Sequence, residues 1–403
     1  KADDGLDFKP THPKADEALA WMGFEARGAI LQVLDQAIAD KPAKVMVVAY
    51  DLNEPEIVTR LEQLEDRVRV IIDDSDAHGK ADSAESQAET RLVKSAGRGN
   101  VKRQHMGNLQ HNKTIVVDGS QTKAVVCGST NFSWRGFFVQ ANNAVVIRNQ
   151  TAVDVFSTGF DAFWKNEGND VAAFGKTDAV KLAKLGVPHV DAQVAFSPHS
   201  QGNELLATIG DDIGTAHSSV LYSMAFLAQT SGAVREALTQ VTEDDHIFVY
   251  GIADQEVGGI EIHSPDGNVL PVHPVALTAN VPEPFKSEPT GGGGIRMHHK
   301  FVVIDFDTDD ARVYLGSYNF SQPADVSNGE NLVLIRDRRV AVAYAVEALR
   351  IFDHWHFRVL HDQGQDKGEP LHLLRPARAP GESAWWEKFY SVPQKARDRE
   401  MFA

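Results

Sequence analysis

Apolar and polar positions follow two alternating rhythms along this chain. The segments "AKVMVVAYDL" (43 to 52) and "RVRVIIDD" (67 to 74) are short continuous apolar runs with polar flanks, so they predict buried strands. Between them, "EIVTRLEQL" spaces its apolar residues by three and four and predicts a helix. The same order returns from Ser218 to Ala253 as "SSVLYSMAFL", "AVREALTQV" and "HIFVYGIA". Farther along each half, "VFSTGFDAFW" ending at Trp164 answers "EALRIFDHW" ending at Trp355, both amphipathic helices. Strands alternating with helices predict an α/β fold with mixed sheets, and the recurrence predicts two copies of one unit.

The repeat is sharper at the level of residues. "HNKTIVVD" begins at His111 and "HHKFVVID" at His298, 187 positions later. "GSTNFS" begins at Gly128 and "GSYNFS" at Gly316, 188 later, and "NNAVVIRN" (142 to 149) answers "ENLVLIRD" (330 to 337) at that same spacing. A proline and polar residues break the pattern around "LAKLGVPHVDAQVAFSPHSQ". The expected organisation is an N-terminal lobe over 1–190, a C-terminal lobe over 191–362 and an extension over 363–403 packing on the lobes. That extension carries Trp385, Trp386, Phe389 and Tyr390, which are read as packing residues, with a lipid-interface or lid element as the sharper alternative.

Composition narrows the chemistry. The 403 residues include 56 acidic against 40 basic ones, a net charge of -16, so the average surface repels polyanions. A few lysines lining one site can still draw a phosphate into an acidic protein. No stretch approaches the roughly 18 apolar residues that a spanning helix needs. One cysteine, Cys127 in "KAVVCGST", excludes an internal disulfide and a Cys-rich metal site and is read as a small buried strand residue. The sequence starts at Lys1 without a methionine, which suggests a processed N-terminus and leaves the compartment open, cytoplasmic or secreted.

Each copy presents His-x-Lys-x4-Asp: His111, Lys113 and Asp118, then His298, Lys300 and Asp305. Residues two apart on a strand share a face, so each histidine points with its lysine while the residue between, such as His299, points away. An imidazole beside an ammonium suits an anionic substrate. A lysine two residues from the histidine also opposes a dication, and zinc sites usually space their ligands otherwise, so no metal is expected at these motifs. Gly-Ser-x-Asn follows an apolar strand in both copies and offers Ser129, Asn131, Ser317 and Asn319 as neutral donors to phosphate oxygens. The glycines 291–294 are read as a flexible approach to the cleft.

His-x-Lys-x4-Asp twice, each followed by Gly-Ser-x-Asn, resembles the phospholipase D superfamily over roughly residues 20 to 360, and "FSP" at 196 to 198 is similar to that family's opening of its second lobe. The resemblance implies two similar α/β/α sandwich lobes about a pseudo-twofold axis, with one active site taking a histidine from each. It implies a phosphodiester hydrolase in which one histidine forms a covalent phosphohistidine and the other protonates the leaving alcohol and then activates water. Lys113 and Lys300 would hold the non-bridging oxygens, without cofactor or metal. The family's carboxylate after Gly-Ser-x-Asn is matched by Glu330, expected to raise the basicity of His298, while Asn142 stands at the equivalent place in the first half and is expected to orient His111. His111 is the favoured nucleophile. Asp118 and Asp305 are expected to brace strands and loops.

The fold does not select the substrate. The acidic surface and the aromatic stretch "SWRGFFVQ", with Trp134, Phe137 and Phe138, favour a phospholipid met through transient membrane-surface contact. Arg98, Lys102, Arg103 and His105, just upstream of His111, keep a nuclease acting on DNA or RNA as the alternative. Two lobes in one chain make a monomer sufficient for the site, with no obligate protein partner.

Overall fold

The computed structural model describes residue 6 and residues 9–200, 204–227, 230–253, 297–366, 376–377 and 379–403, the side chains of 354–366 excepted. In the first half, strands β1 (Lys44–Ala49), β2 (Val68–Ile72), β3 (Val101–Arg103), β4 (Lys113–Asp118), β5 (Lys123–Gly128) and β6 (Ala144–Ile147) form one sheet in the order β3-β2-β1-β4-β5-β6. The first three run parallel, and each of β4, β5 and β6 reverses on its neighbour. The helices of this half that bear on the site are α1 (Ala15–Met22), α2 (Phe24–Ala39), α3 (Pro55–Gln63), α4 (Ala84–Ala96), α5 (Trp134–Phe138) and α6 (Gln150–Lys165).

The apolar runs are continuous because both faces of this sheet are covered. Val45, Val47, Val70, Ile72, Ile115, Val117 and Val126 share one core with Ile30 and Leu34 of α2, Ile57 and Leu61 of α3 and Leu92 of α4. The alternating residues Met46, Val48, Ile71, Val116 and Val125 are buried too, on the other face, where α6 meets β1, β4 and β5. Side-chain caps start the helices where the sequence turns polar. Ser83 accepts from the Ser86 N–H at 3.1 Å to open α4, and Asn149 accepts from Ala152 at 2.7 Å to open α6. Cys127 lies buried in β5, where desolvation pushes its thiol up to about 12.

The second sheet contains β7 (Ala183–Lys184), β8 (Asp191–Ser197), β9 (Ser219–Met224), β10 (Phe248–Ile252), β11 (Lys300–Ile304), β12 (Arg312–Gly316) and β13 (Glu330–Arg336), in the order β10-β9-β11-β12-β13-β8-β7. The run β2-β1-β4-β5-β6 therefore reappears as β10-β9-β11-β12-β13, and β9 and β10 are parallel like β1 and β2. The duplicated α/β architecture expected from the sequence is present, with a mixed sheet in each half.

The chain divides into two compact units, one of Lys1–Leu206, Met297–Lys300 and Tyr314–Ile335, the other of Ala207–Arg296, Phe301–Val313 and Arg336–Ala403. The second unit holds Asp305, fully buried with a left-handed φ of 51°. Its carboxylate accepts from the N–H groups of Ser218 at 2.9 Å and Ser219 at 3.2 Å, bracing the start of β9. In the same unit Phe402 meets Phe248 and Phe306, but Trp385, Trp386 and Tyr390 are 45, 48 and 62 % exposed rather than packed. Among the described residues no helix is long and apolar enough to cross a membrane.

Candidate active site

Every His, Lys, Ser, Asn and Glu singled out at the two motifs falls in the first compact unit. Two short parallel bridges assemble them: Gln110 pairs with Gly329, and Ala141 pairs with Met297. Each bridge sets the residue before a motif histidine against the residue before the opposite copy's post-turn position. His111 is thereby placed beside Glu330, and His298 beside Asn142. The segment leading to Glu330 is held from several sides. Gly107 and Gly329 donate from their N–H groups to the carbonyls of Ser327 and Leu109, and the Ser197 hydroxyl of "FSP" donates to Ala324 and Asn328 carbonyls.

The partners are therefore crossed relative to the expectation. His111 Nδ1 lies 2.8 and 2.9 Å from the two carboxylate oxygens of Glu330, while His298 Nδ1 lies 2.8 Å from Asn142 Oδ1. Glu330 serves His111, not the histidine of its own copy. The cause is the exchange of turns by the two bridges, which spacing within one copy cannot reveal. Asn142 is itself fixed: its amide donates to the Gly136 carbonyl at 3.0 Å, so its oxygen faces His298. Both acceptors require the proton on Nδ1, leaving Nε2 of each neutral ring with its lone pair. The ring centroids are 6.4 Å apart and inclined at 70°.

Lys113 and Lys300 are 1 % exposed. Each ammonium turns back to the carbonyl of its own motif histidine, at 2.8 Å for Lys300 and His298. Burial pushes Lys113 down to about 8 against the pull of Glu330, Asp51 and Asp73, and Lys113 also lies 4.8 Å from the Tyr50 ring centre. Burial, then repulsion from Lys113, holds Lys300 well below the usual lysine range. His298 is driven well down by burial and by both lysines, whereas His111, also lowered by burial, is partly restored by Glu330. The pocket is thus rich in suppressed cations, a condition that an entering anion relieves.

The Gly-Ser-x-Asn turns brace the segments that follow them. Gly128 and Gly316 have φ of 145° and 138°, and a Cβ there would meet the Asn143 or Asn331 carbonyl oxygen at 2.4 or 2.2 Å. Ser129 Oγ accepts from Asn143 N–H at 3.1 Å and donates to Asn142 Oδ1 at 2.8 Å. Ser317 Oγ accepts from Asn331 N–H at 3.0 Å. Both serines are fully buried and hold the segments carrying Asn142 and Glu330, Ser129 by donating and accepting and Ser317 by accepting from Asn331. Asn131 and Asn319 each keep a buried side-chain oxygen without a partner among the described residues. Asp118 pairs with Lys123 at the far end of β4. His299 is fully buried rather than at a rim, and 291–294 lie outside the described residues.

Residues the sequence reading passed over complete the first-half wall. The Tyr50 ring packs edge-on between His78 and His111, with centroids 4.6 and 4.7 Å away. His78 sits between Asp73 at 2.8 Å and Asp51 at 3.2 Å, and these hydrogen bonds raise it to about 10 against the desolvation that lowers it. The signal available was the carboxylates massed at the ends of β1 and β2, in "YDL" and "DDSDAH".

The upstream basic residues all pair within the chain, but the Arg98 side chain is 71 % exposed. The Lys102 ammonium donates to the carbonyls of Trp164 at 2.9 Å and Asn166 at the end of α6. Arg103 and Arg98 both pair with Glu89, and His105 lies 2.8 Å from Asp74. Of the aromatic stretch, Phe137 belongs to the core, while Trp134 and Phe138 are half-buried and contact each other at 4.7 Å.

A duplicated α/β chain that brings two His-Lys pairs together has the architecture of the phospholipase D-like class. The chain belongs to the family described as cardiolipin synthase, PLD-like domain, whose model matches residues 30–164 and 209–352. It is 43 % identical over 47 residues to a phospholipase D of Rickettsia prowazekii (strain Madrid E), a match covering 12 % of this chain and only 21 % of that relative. Phosphatidylserine synthase from Haemophilus influenzae Rd KW20 has a similar structure, with a TM-score of 0.54, 13 % identity, and 80 % of this chain and 83 % of that one covered. Polyphosphate kinase from Porphyromonas gingivalis is similar at a TM-score of 0.52 and 10 % identity over 79 % of this chain and 47 % of its own. At such identities the two structures speak to the fold alone.

Proposed function

We propose that the chain hydrolyses the head-group phosphodiester of a phospholipid through a covalent phosphohistidine, with His111 as nucleophile and His298 as general acid and base. The observation that carries this reading is the pair of imidazoles, each with Nδ1 tied to an acceptor, beside two buried lysines. His111 Nε2 attacks phosphorus, forming an N–P bond as the P–O bond to the head-group alcohol breaks, and His298, which takes up a second proton from solvent once the phosphate anion has entered, gives that Nε2 proton to the leaving oxygen. Water then loses a proton to His298 and attacks phosphorus, expelling His111 and releasing phosphatidate. The phosphorylated ring keeps its Nδ1 proton and becomes cationic, which the Glu330 carboxylate stabilises. A protonated His298 facing neutral Asn142 and two lysines is the stronger acid. Lys113 and Lys300 neutralise the phosphoryl oxygens, so no metal is required at phosphorus.

A lipid is favoured over nucleic acid because Lys102 and Arg103 are engaged within the protein and the net charge is -16. The curated relative bearing the name phospholipase D supports the same choice. The test is a parallel assay, with and without EDTA, of phosphatidylcholine, phosphatidylethanolamine, single-stranded DNA and bis-p-nitrophenyl phosphate. Cleavage of lipid and of the small diester, persisting in EDTA, is expected; cleavage of DNA with no lipid turnover refutes the assignment.

The pH dependence follows from the site's charges. Discharge of a lysine removes the attraction for phosphate, so kcat/KM falls as pH rises through the depressed lysine range, beginning no later than about 8. Protonation of the nucleophile removes its lone pair, and because His111 is lowered, the acid limb lies below its ordinary 6.5. Initial rates between pH 4 and 10 check both limbs; full activity retained well above pH 9 contradicts the lysine role.

A further inference from the structure

Outside the two-histidine pocket, Asp51, His78 and Glu85 bring one ligand atom each within 4.8 Å of one another. They come from three separate places: the residue just beyond β1, the loop after β2, and the first turn of α4. We propose that these three side chains bind one divalent transition cation, of the Zn²⁺ or Mn²⁺ kind, as a site distinct from the phosphodiester chemistry.

The orientation of His78 is the strongest argument. Its Nδ1 faces Asp73 Oδ2 at 2.8 Å, which directs Nε2 toward Asp51, 3.2 Å away, and the space shared with Glu85. A carboxylate behind a histidine on its far nitrogen is the outer-shell arrangement that fixes metal-binding imidazoles. Asp73 is itself immobilised. It is fully buried and accepts from Gln110 N–H at 2.7 Å, Ser75 N–H at 3.0 Å and the Ser75 hydroxyl.

Charge points the same way. Three carboxylates, Asp51, Asp73 and Glu85, surround one imidazole, and Glu85 is 4 % exposed. One Glu85 oxygen accepts from Leu52 N–H at 3.1 Å, which aims the group at the end of β1. A proton on His78 supplies one positive charge to this cluster, and a divalent cation competing for the same Nε2 supplies two. Ligand distances of roughly 2.0–2.2 Å set tetrahedral ligand atoms about 3.4 Å apart, so the three side chains would close on the ion by up to about 1.4 Å. A mixed nitrogen and oxygen set suits Zn²⁺ or Mn²⁺ better than Mg²⁺, which prefers oxygen alone.

Binding here joins the ends of β1 and β2 to α4. Asp51 also accepts from Ser133 Oγ at 3.1 Å, and the preceding Tyr50 packs on His111, so the ion stiffens the first-half wall without touching phosphate.

The experiment is equilibrium dialysis of the full chain against Zn²⁺ and, separately, Mn²⁺, with metal content by mass spectrometry and the melting temperature followed in parallel. One ion per chain and a melting temperature several degrees higher are expected. His78→Gln and Glu85→Gln should lose the ion, while His298→Asn keeps it. No bound ion in the wild type, or an ion lost in His298→Asn but kept in the other two, overturns the proposal. Should either cluster variant fail to fold, anomalous scattering from Zn²⁺-soaked wild-type crystals decides: a peak between Asp51, His78 and Glu85 supports the site, and its absence there refutes it.

Discussion

His111→Asn and His298→Asn are each expected to lower turnover of a phosphodiester by about four orders of magnitude or more, because each removes a bond-making or proton-transferring atom. The two variants should nevertheless fail differently. With bis-p-nitrophenyl phosphate the leaving phenolate needs no proton, so His298→Asn should release a stoichiometric burst of p-nitrophenolate and stop with phosphate fixed on His111. His111→Asn should give no burst. Rapid quench at alkaline pH, where phosphohistidine survives, followed by peptide mapping locates the group. A burst confined to His111→Asn reverses the assigned roles, and near-normal turnover in either variant removes the shared two-histidine mechanism.

Glu330→Gln carries the second large expected effect, a fall in kcat/KM of about 10²- to 10⁴-fold, the range seen when the carboxylate behind a catalytic histidine loses its charge. Its hydrogen bonds fall on His111, so the loss should appear in the burst step with bis-p-nitrophenyl phosphate. The sign of the pH effect is fixed as well. Glu330 raises the basicity of His111, so removing its charge lowers that basicity further and moves the acid limb of kcat/KM to lower pH. An unchanged burst with only the later hydrolysis slowed contradicts the crossed pairing as a catalytic feature.

Much of this was legible in the sequence because it was written twice. His-x-Lys and Gly-Ser-x-Asn recur in register, and the duplication they mark is found as one strand order repeated in the two sheets. What stayed hidden has identifiable physical causes. Glu330 lies 32 positions after His298 and 219 after His111, so sequence nearness suggested the wrong partner, and only the bridges at Gln110 and Ala141 settle it. The bracing bonds of Ser129 and Ser317 were hidden because a turn's side-chain direction depends on the glycine φ that precedes it, which the letters do not state. Tyr50, Asp73 and His78 escaped notice because they are not duplicated. Strand β1 runs into Tyr50 and Asp51 and β2 into Asp73 and Asp74, whereas β9 runs into Ala225 and β10 into Ala253.

The crossed partners make each half of the duplication incomplete in itself. A polypeptide ending before the second copy would keep His111 and Lys113 but leave that histidine without its carboxylate, and the second copy alone would leave His298 without Asn142. Functional inheritance in this chain is therefore reciprocal: a change at position 142 is felt by the histidine of the later copy, and a change at 330 by that of the earlier one. Separately expressed halves should regain paired imidazoles only by complementation, and neither copy could specialise without altering the other's chemistry.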